Sequence, residues 1–266
     1  MLPIYKAIAF DKIIDKGGRT KPWSVIVDTG NGVRAFVVKM FTTQLVEARD
    51  SVTNEVMGNI LAKEFDLPVP DAALIEMDEY FRMTIRDTDA LVAYDQADER
   101  IKFGSALTEG NYLFSPTFTK AQAAKMIELD TLFAFDLLIC NKDRRAATPN
   151  LLVKGKSAYL IDHELGFEID SNTLAGLQHG KWDDSYYRNH IFWNYLKKSK
   201  PAKRIEYFNT FAEYLRTLNV NRLTTYFQQL DNHGFSTEKH QLIRDYLIGV
   251  KQNSSIFINF LKLIIE

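Results

Sequence analysis

Apolar and polar residues alternate along the first hundred positions in short runs that predict β-strands. The clearest pair is 24–28 and 33–39, where β-branched residues flank Thr-Gly-Asn-Gly at 29–32. An Asn-Gly turn between two such runs is typical of a tight β-hairpin. Lys39 stands at the end of the second run. Further strands are expected at 4–10, 74–77 and 81–85.

Residues 51–65 show an apolar repeat with the period of an α-helix. Val52, Val56 and Ile60 recur at intervals of four, which predicts an amphipathic helix with one stripe against a core. Glu55 stands beside that stripe. Most helix glutamates are solvated surface charges, and the alternative for Glu55 is an inward-facing carboxylate. Two prolines shortly after the helix prevent its continuation.

The pattern changes from strand-rich to helix-rich near residue 105. Thr119 and Gln122 have the spacing of a capping box and open a predicted helix that runs to about Cys140. This helix is apolar nearly all round and is therefore expected to be buried. The acidic segment 86–100 is expected to be a surface loop. Further helices are expected at 204–218, 221–230 and, after an N-cap at Ser236, 237–264. The predicted fold class is α+β.

The loop after the buried helix carries the candidate chemistry. Asp143 and Asn150 lie seven residues apart, and a predicted hairpin of strands 151–153 and 158–161 then leads to Asp162. In phosphoryl transfer, one carboxylate accepts the proton of the attacking hydroxyl, while an amide oxygen and a second carboxylate hold Mg²⁺ on the phosphates. On the spacing of the Asp and Asn alone, an ordinary surface loop whose side chains stabilise turns is the competing interpretation.

Two earlier segments have the residue types that a nucleotide phosphate needs. A strand lysine such as Lys39, paired with a helix glutamate such as Glu55, is held over the phosphates by that pair. Gly17 and Gly18, followed by Thr20, precede the hairpin, and glycines let backbone N–H groups approach a phosphate. Two adjacent glycines are also common in ordinary loops, so this motif is weak by itself.

Composition indicates the class of protein and the cellular compartment in which this chemistry is expected. The chain has 266 residues, of which 46% are hydrophobic and 25% charged, with a net charge of -1. This balance predicts a globular protein without overall attraction to nucleic acid or an anionic membrane, so no direct nucleic-acid binding and no membrane association are expected. The single cysteine, Cys140, cannot form an intramolecular disulfide, and a cytoplasmic location is expected.

Taken in order, these segments resemble the HipA-like kinase family, in particular its small stand-alone members. The resemblance covers most of residues 15–195 and is densest at 141–163, which contains NKDRR, PNLL and LIDH. It implies a bilobal protein-kinase-like fold, with a β-rich N-lobe at 1–104, a mostly helical C-lobe at 105–266, and ATP between them.

The resemblance also implies a role for each candidate residue. Asp143 corresponds to the catalytic aspartate, Asp162 to the metal-binding aspartate, and Lys39 to the nucleotide lysine paired with Glu55. The implied cofactors are ATP and Mg²⁺. The implied acceptor is a hydroxyl, on a protein serine or threonine, on a small molecule or on the chain itself, and the sequence does not identify it.

One departure from the family pattern affects the metal site. Kinases of this kind usually place a metal-binding asparagine five residues after the catalytic aspartate, and that position is Thr148 here. Asn150 is therefore expected to act as the metal ligand from a longer loop. The departure leaves a second hypothesis open, that of a pseudokinase that binds nucleotide as a regulatory module. The third is a helical protein whose motif matches are accidental.

Overall fold

The computed structural model describes residues 1–14, 21–108, 110–169, 173, 175–176 and 185–266. The strands in these ranges are β1 (Ile4–Ile13), β2 (Trp23–Asp28), β3 (Val33–Val38), β4 (Ala72–Glu76), β5 (Lys102–Ala106), β6 (Tyr112–Leu113), β7 (Leu151–Lys154) and β8 (Ser157–Leu160). The α-helices are α1 (Thr43–Arg49), α2 (Ser51–Glu64), α3 (Glu79–Arg82), α4 (Thr88–Gln96), α5 (Lys120–Ala123), α6 (Leu129–Leu138), α7 (Trp193–Lys197), α8 (Pro201–Glu206), α9 (Asn209–Thr217), α10 (Thr224–Asn232), α11 (Thr237–Gln252) and α12 (Ser254–Ile264). A β-rich N-terminal region thus precedes a helical C-terminal region, as the sequence predicts.

The first five strands close into a barrel in the order β1-β2-β3-β5-β4. The predicted hairpin is present as β2 and β3, which pair in antiparallel register with Val25 opposite Phe36. Its turn uses positive φ at Gly30 (77°) and Gly32 (135°), a conformation that costs little without a Cβ atom. β4 lies parallel to β1 and antiparallel to β5, which completes the barrel.

Two predictions in this region are wrong because acidic residues begin helices there. The segment 81–85 is not a strand, since Asp78 accepts a hydrogen bond from Phe81 N and caps α3. The segment 86–100 is not simply a loop, since Asp87 accepts one from Ala90 N and caps α4. An aspartate oxygen satisfies a backbone N–H that the first turn of a helix leaves unpaired.

Helix α2 has the predicted limits, but its surroundings differ from the prediction. Every residue from Ser51 to Ala62 is buried, so the helix is enclosed and has no solvated face over this length. One close approach requires Gly58, because a Cβ atom there would lie 2.4 Å from Cβ of His163. Helix α2 therefore packs directly against the segment that follows β8.

The long helix predicted at 119–140 is two helices, α5 and α6. The capping box of Thr119 and Gln122 is present, and α6 is buried along nearly all of its length, as expected. The chain turns between the two helices because the carbonyl of Met126 accepts a hydrogen bond from Ala158 N on β8. The second sheet, in the order β6-β7-β8, lies beside this turn.

Two other predicted helices are also divided. Phe208 adopts a positive φ of 69° between α8 and α9, where its N–H donates to Asp130 on α6. Asn253 interrupts the last predicted helix between α11 and α12, although Ser236 caps α11 as expected. The segment 221–230 begins with a 3₁₀ turn at Val220–Leu223 and continues as α10.

The described helices include none that is long and apolar enough to cross a membrane. The boundary predicted between residues 104 and 105 stays a prediction, and β5 runs across that position.

We expect Gly58→Ala to destabilise the protein. Alanine favours a helix by about 1 kcal/mol over glycine, but the new methyl would collide with the buried His163. Overpacking of this kind costs about 1–3 kcal/mol, so urea denaturation should show a net loss. In a His163→Gly background the obstacle is gone, and Gly58→Ala should become neutral or stabilising. An equal loss in both backgrounds would contradict this explanation.

Candidate active site

Lys39 lies at the centre of the candidate site. It follows β3 directly, so the barrel fixes its backbone. Its Nζ donates to Glu55 Oε1 at 2.5 Å, Asp162 Oδ1 at 2.6 Å and Glu164 Oε2 at 3.0 Å. The predicted ion pair between Lys39 and Glu55 is therefore present, and it includes Asp162. Glu164 is a third carboxylate that the sequence analysis did not single out.

The charges of this cluster control one another's ionisation. Burial alone would lower the pKa of Lys39, but attraction to the three carboxylates raises it well above 10.5. Burial favours neutral Glu55, but Lys39 and His163 outweigh it and lower the pKa of Glu55 from 4.5 to about 2. Burial raises the pKa of Glu164, and attraction to Lys39 does not fully compensate.

The donor set fits a hard divalent cation. Glu55, Asp162 and Glu164 each offer a carboxylate oxygen, and these oxygens lie within 4.8 Å of one another. Oxygen ligands are the kind that Mg²⁺ prefers. Glu55 is the most buried of the three and also accepts a hydrogen bond from His163 N at 3.1 Å. Asp162 and Glu164 are 25% and 20% exposed, which leaves them the more accessible ligands.

Three side chains of its own loop donate hydrogen bonds to the carboxylate of Asp143. Arg145 Nη2 donates to Oδ1 at 2.7 Å, and Thr148 Oγ1 donates to the same oxygen at 3.1 Å. Asn150 Nδ2 donates to Oδ2 at 3.1 Å. The hydroxyl of Thr148 has a single proton, which it shares between this carboxylate and the backbone carbonyl of Asp143, 2.5 Å away. The hydroxyl at the usual asparagine position therefore shapes the loop around Asp143.

Asn150 connects this loop to the segment that carries Asp162. It adopts a positive φ of 49°, a conformation that asparagine tolerates better than most residues. Its carbonyl accepts a hydrogen bond from Ile161 N at 3.1 Å, and Arg144 Nη1 donates to the same oxygen at 2.6 Å. Because Ile161 immediately precedes Asp162, the two aspartates lie on segments that are hydrogen-bonded to each other.

A buried aspartate on α6, Asp136, supports the Asp143 loop. It accepts hydrogen bonds from Arg144 Nε at 2.5 Å, Asn141 Nδ2 at 3.0 Å and His190 Nε2 at 3.0 Å. Asn141 in turn accepts from Asp143 N at 3.1 Å. Burial disfavours the charge of Asp136, but Arg144 and His190 outweigh it and keep its pKa below the ordinary value.

The sequence analysis overlooked Asp136 and Glu164, although each leaves a weak signal. Asp136 is a single acid inside a long apolar run, Leu132 to Cys140, and an unpaired charge is not stable in such a position. Glu164 lies two residues after Asp162. This signal is weaker, because acidic residues are common in loops. Gly17, Gly18 and Thr20 lie outside the described residues.

The sequence profile of the HipA-like kinases matches residues 12–220. This chain belongs to the HipA-like kinase family. Among solved structures, this HipA-like kinase is similar in fold to the Helicobacter pylori proinflammatory kinase CtkA, with a TM-score of 0.52. The sequences are 12% identical, and the match covers 97% of this chain and 96% of the other. No curated protein sequence matches this chain.

We expect Asp136→Asn to be strongly destabilising. The amide keeps the volume of the carboxylate, but it leaves the fully buried Arg144 without its counter-charge. Removing one partner of a buried ion pair costs about 3–5 kcal/mol, which urea denaturation would measure. The matched control is Asp95→Asn, which breaks an exposed ion pair with Arg82 and should cost far less. Equal losses would show that Asp136 is not the support described here.

The low pKa of Glu55 predicts a specific pH dependence of stability. The pKa of Glu55 is lowered from 4.5 to about 2 in the folded protein, so ionised Glu55 stabilises the fold. This contribution is fully present when the pH is above the pKa of Glu55 in the unfolded chain. That contribution is lost as the pH falls from 4.5 towards the folded pKa. The difference in unfolding free energy between wild type and Glu55→Gln should therefore shrink over this window. Exposed Glu213→Gln is the control, and a constant difference for Glu55→Gln would contradict the assignment.

Proposed function

We propose that this HipA-like kinase binds ATP with Mg²⁺ and transfers the γ-phosphate to a hydroxyl. The observation that carries the proposal is the Lys39 cluster, in which a lysine beside the barrel, a buried helix glutamate and Asp162 are in direct contact. The proposal includes a bilobal kinase arrangement, with the nucleotide between the β-rich and helical regions and a boundary near residue 104.

Each residue of the site has a distinct task in this proposal. Lys39 binds the phosphates, and Glu55 holds its ammonium in place against the rotamer freedom of a long side chain. Asp143 accepts the proton of the acceptor hydroxyl. Mg²⁺, when bound, neutralises charge on the phosphates. Catalysis in this class depends mainly on positioning and charge stabilisation, so an error in any of these positions reduces turnover sharply.

Asn150 and Asp162 are the proposed metal ligands. Asn150 directs its Nδ2 at Asp143, and its Oδ1 makes no hydrogen bond to any residue that the structure describes. Thr148 is the weaker candidate because its hydroxyl is turned towards Asp143, with its oxygen 2.5 Å from the backbone carbonyl and 3.1 Å from the carboxylate of that residue. Glu164 supplies a further carboxylate beside Asp162. Gly17, Gly18 and Thr20 remain candidates for phosphate contacts.

The proposed acceptor is a serine or threonine hydroxyl, either on a protein partner or on the chain itself, in the cytoplasm. We propose no direct contact with nucleic acid or membrane.

A pseudokinase is the second candidate, and one observation favours it. Both carboxylate oxygens of Asp143 are already engaged, one by Arg145 and Thr148 and the other by Asn150. A carboxylate has about four lone-pair sites, and these three donors leave one of them, on Oδ2. If an acceptor hydroxyl does not reach that site, the protein binds nucleotide without transferring phosphate.

The two aspartates should separate binding from chemistry. Purified protein is incubated with labelled ATP and Mg²⁺, phosphorylated residues are identified by mass spectrometry, and MgATP affinity is measured by calorimetry. Asp143→Asn should bind MgATP normally and lose turnover by about 10²–10⁴-fold, as expected for a lost general base. Asp162→Asn should lose the Mg²⁺-dependent part of binding. Exposed Asp95→Asn is the control and should change neither quantity.

The outcomes distinguish the candidates. Binding of MgATP by the wild type without phosphorylation of the chain itself or of added protein acceptors, and without ATP hydrolysis, supports the pseudokinase. Absence of nucleotide binding in the wild type contradicts both candidates. Equal Mg²⁺-dependent binding by Asp143→Asn and Asp162→Asn would show that the division of roles between them is wrong.

A further inference from the structure

Helix α2 is held on two opposite faces. Glu55 faces Lys39, and Thr53 lies two residues earlier on the same helix. Because each residue turns an α-helix by about 100°, these two side chains point roughly 200° apart. Rotation of α2 that disturbs the contacts of one side chain therefore disturbs those of the other.

On the face away from Lys39, Thr53 contacts a histidine of α11. Thr53 Oγ1 lies 3.2 Å from His240 Nε2, and His240 Nδ1 lies 2.7 Å from Asp231 Oδ1 on α10. An ionised carboxylate only accepts hydrogen bonds, so Nδ1 carries a proton and donates it. Burial lowers the pKa of His240, which favours the neutral ring, and its Nε2 then accepts from the Thr53 hydroxyl.

The histidine ring is itself fixed. Phe227 of α10 stacks on it with ring centroids 5.1 Å apart, and the side chains of Thr53 and His240 are both almost fully buried. The series Asp231, His240 and Thr53 is thus a rigid connection from α10 and α11 to α2. We call it the α2 clasp.

Neighbouring contacts bring the same two helices against the N-terminal region. Lys239, beside His240, lies 3.7 Å from Asp50 at the start of α2 and donates to Phe167 O at 2.8 Å. Arg100 donates to Gly234 O at 2.9 Å, in the turn between α10 and α11. The clasp is therefore part of a broad contact and not an isolated hydrogen bond.

We propose that His240, held by Asp231, is a positioning residue that acts through Thr53 to keep Glu55 in contact with Lys39. As a role in kinase chemistry, the inference rests on the proposed function. As a statement about the position of α2, it is independent of that function. Thr53 lies within residues 12–220, which match the family profile, whereas Asp231 and His240 lie beyond them.

The test measures how readily Lys39 is acylated by an amine-reactive ester at limiting dose, with mass spectrometry of the labelled peptide. A lysine released from Glu55 is more mobile and more readily acylated. Thr53→Val removes the hydroxyl of the clasp at nearly constant volume, and Thr53→Ser restores it. The matched control is Thr131→Val, because Thr131 is also a buried helix threonine and its hydroxyl has no partner among the described residues. Buried Lys102 reports general loosening, and exposed Lys6 is the standard for the reagent dose.

We expect Thr53→Val to raise Lys39 acylation several-fold, while Thr53→Ser, Thr131→Val and the labelling of Lys102 and Lys6 stay at wild-type values. In a Glu55→Gln background, Thr53→Val should add nothing further, because the contact that the clasp positions is already absent. Wild-type labelling of Lys39 in a folded Thr53→Val protein would overturn the proposal. So would an equal rise at Lys102, or a full additional rise in the Glu55→Gln background, since each indicates a merely structural role.

Calorimetry with MgATP separates this inference from the proposed function. If the wild type binds MgATP, Thr53→Val should weaken binding several-fold in the wild type and not in Glu55→Gln, and unchanged binding in the wild type would overturn the positioning role. If the wild type binds no MgATP, the proposed function fails, while the acylation result still decides whether the clasp positions α2.

Discussion

The ammonium of Lys39 is the constraint on which the arrangement of the site depends. A buried charge is costly unless opposite charges surround it, and Lys39 is 14% exposed. Its three carboxylates come from α2 and from the segment after β8. Pairing this one charge therefore fixes the end of the barrel, the buried helix and the loop of Asp162 relative to one another. One ammonium among three carboxylates leaves two negative charges in this place, and a divalent cation suits such a site.

A second buried charge plays the same part for the loop of Asp143. The residues 141–150 have no regular secondary structure of their own, and side-chain contacts supplement their few backbone hydrogen bonds. Asp136 provides such contacts by binding Asn141, Arg144 and His190 from inside the core. Arg144 continues the connection to the carbonyl of Asn150, which also binds Ile161. The two ion-pair networks are thus joined, and a disturbance of either one reaches both aspartates of the proposed site.

Local patterns predicted much of this site, and long-range contacts account for what was overlooked. The hairpin and α2 could be predicted because each depends on periodicity or turn chemistry within a few residues. The contact of Lys39 with Glu55, 16 residues apart, was predicted from the residue types that a nucleotide phosphate needs and from the family resemblance. The limits of the C-terminal helices could not be predicted, since Met126 and Phe208 break them through hydrogen bonds to distant residues, Ala158 and Asp130. Asp136, Glu164 and His240 were overlooked because their contacts with His190, Lys39 and Thr53 span 54, 125 and 187 residues of sequence.

The burial of α2 constrains the rotation of this helix about its own axis. A helix with one solvated face is free to rotate until its apolar stripe fits, and its polar side chains follow. Helix α2 has no solvated face from Ser51 to Ala62, and Thr53 and Glu55 make polar contacts on opposite sides. Its rotation is therefore determined by hydrogen bonds as well as by packing. Since α10 and α11 provide the contacts on one side, the C-terminal helices belong to the structural unit that places Glu55, although they lie far from it in sequence.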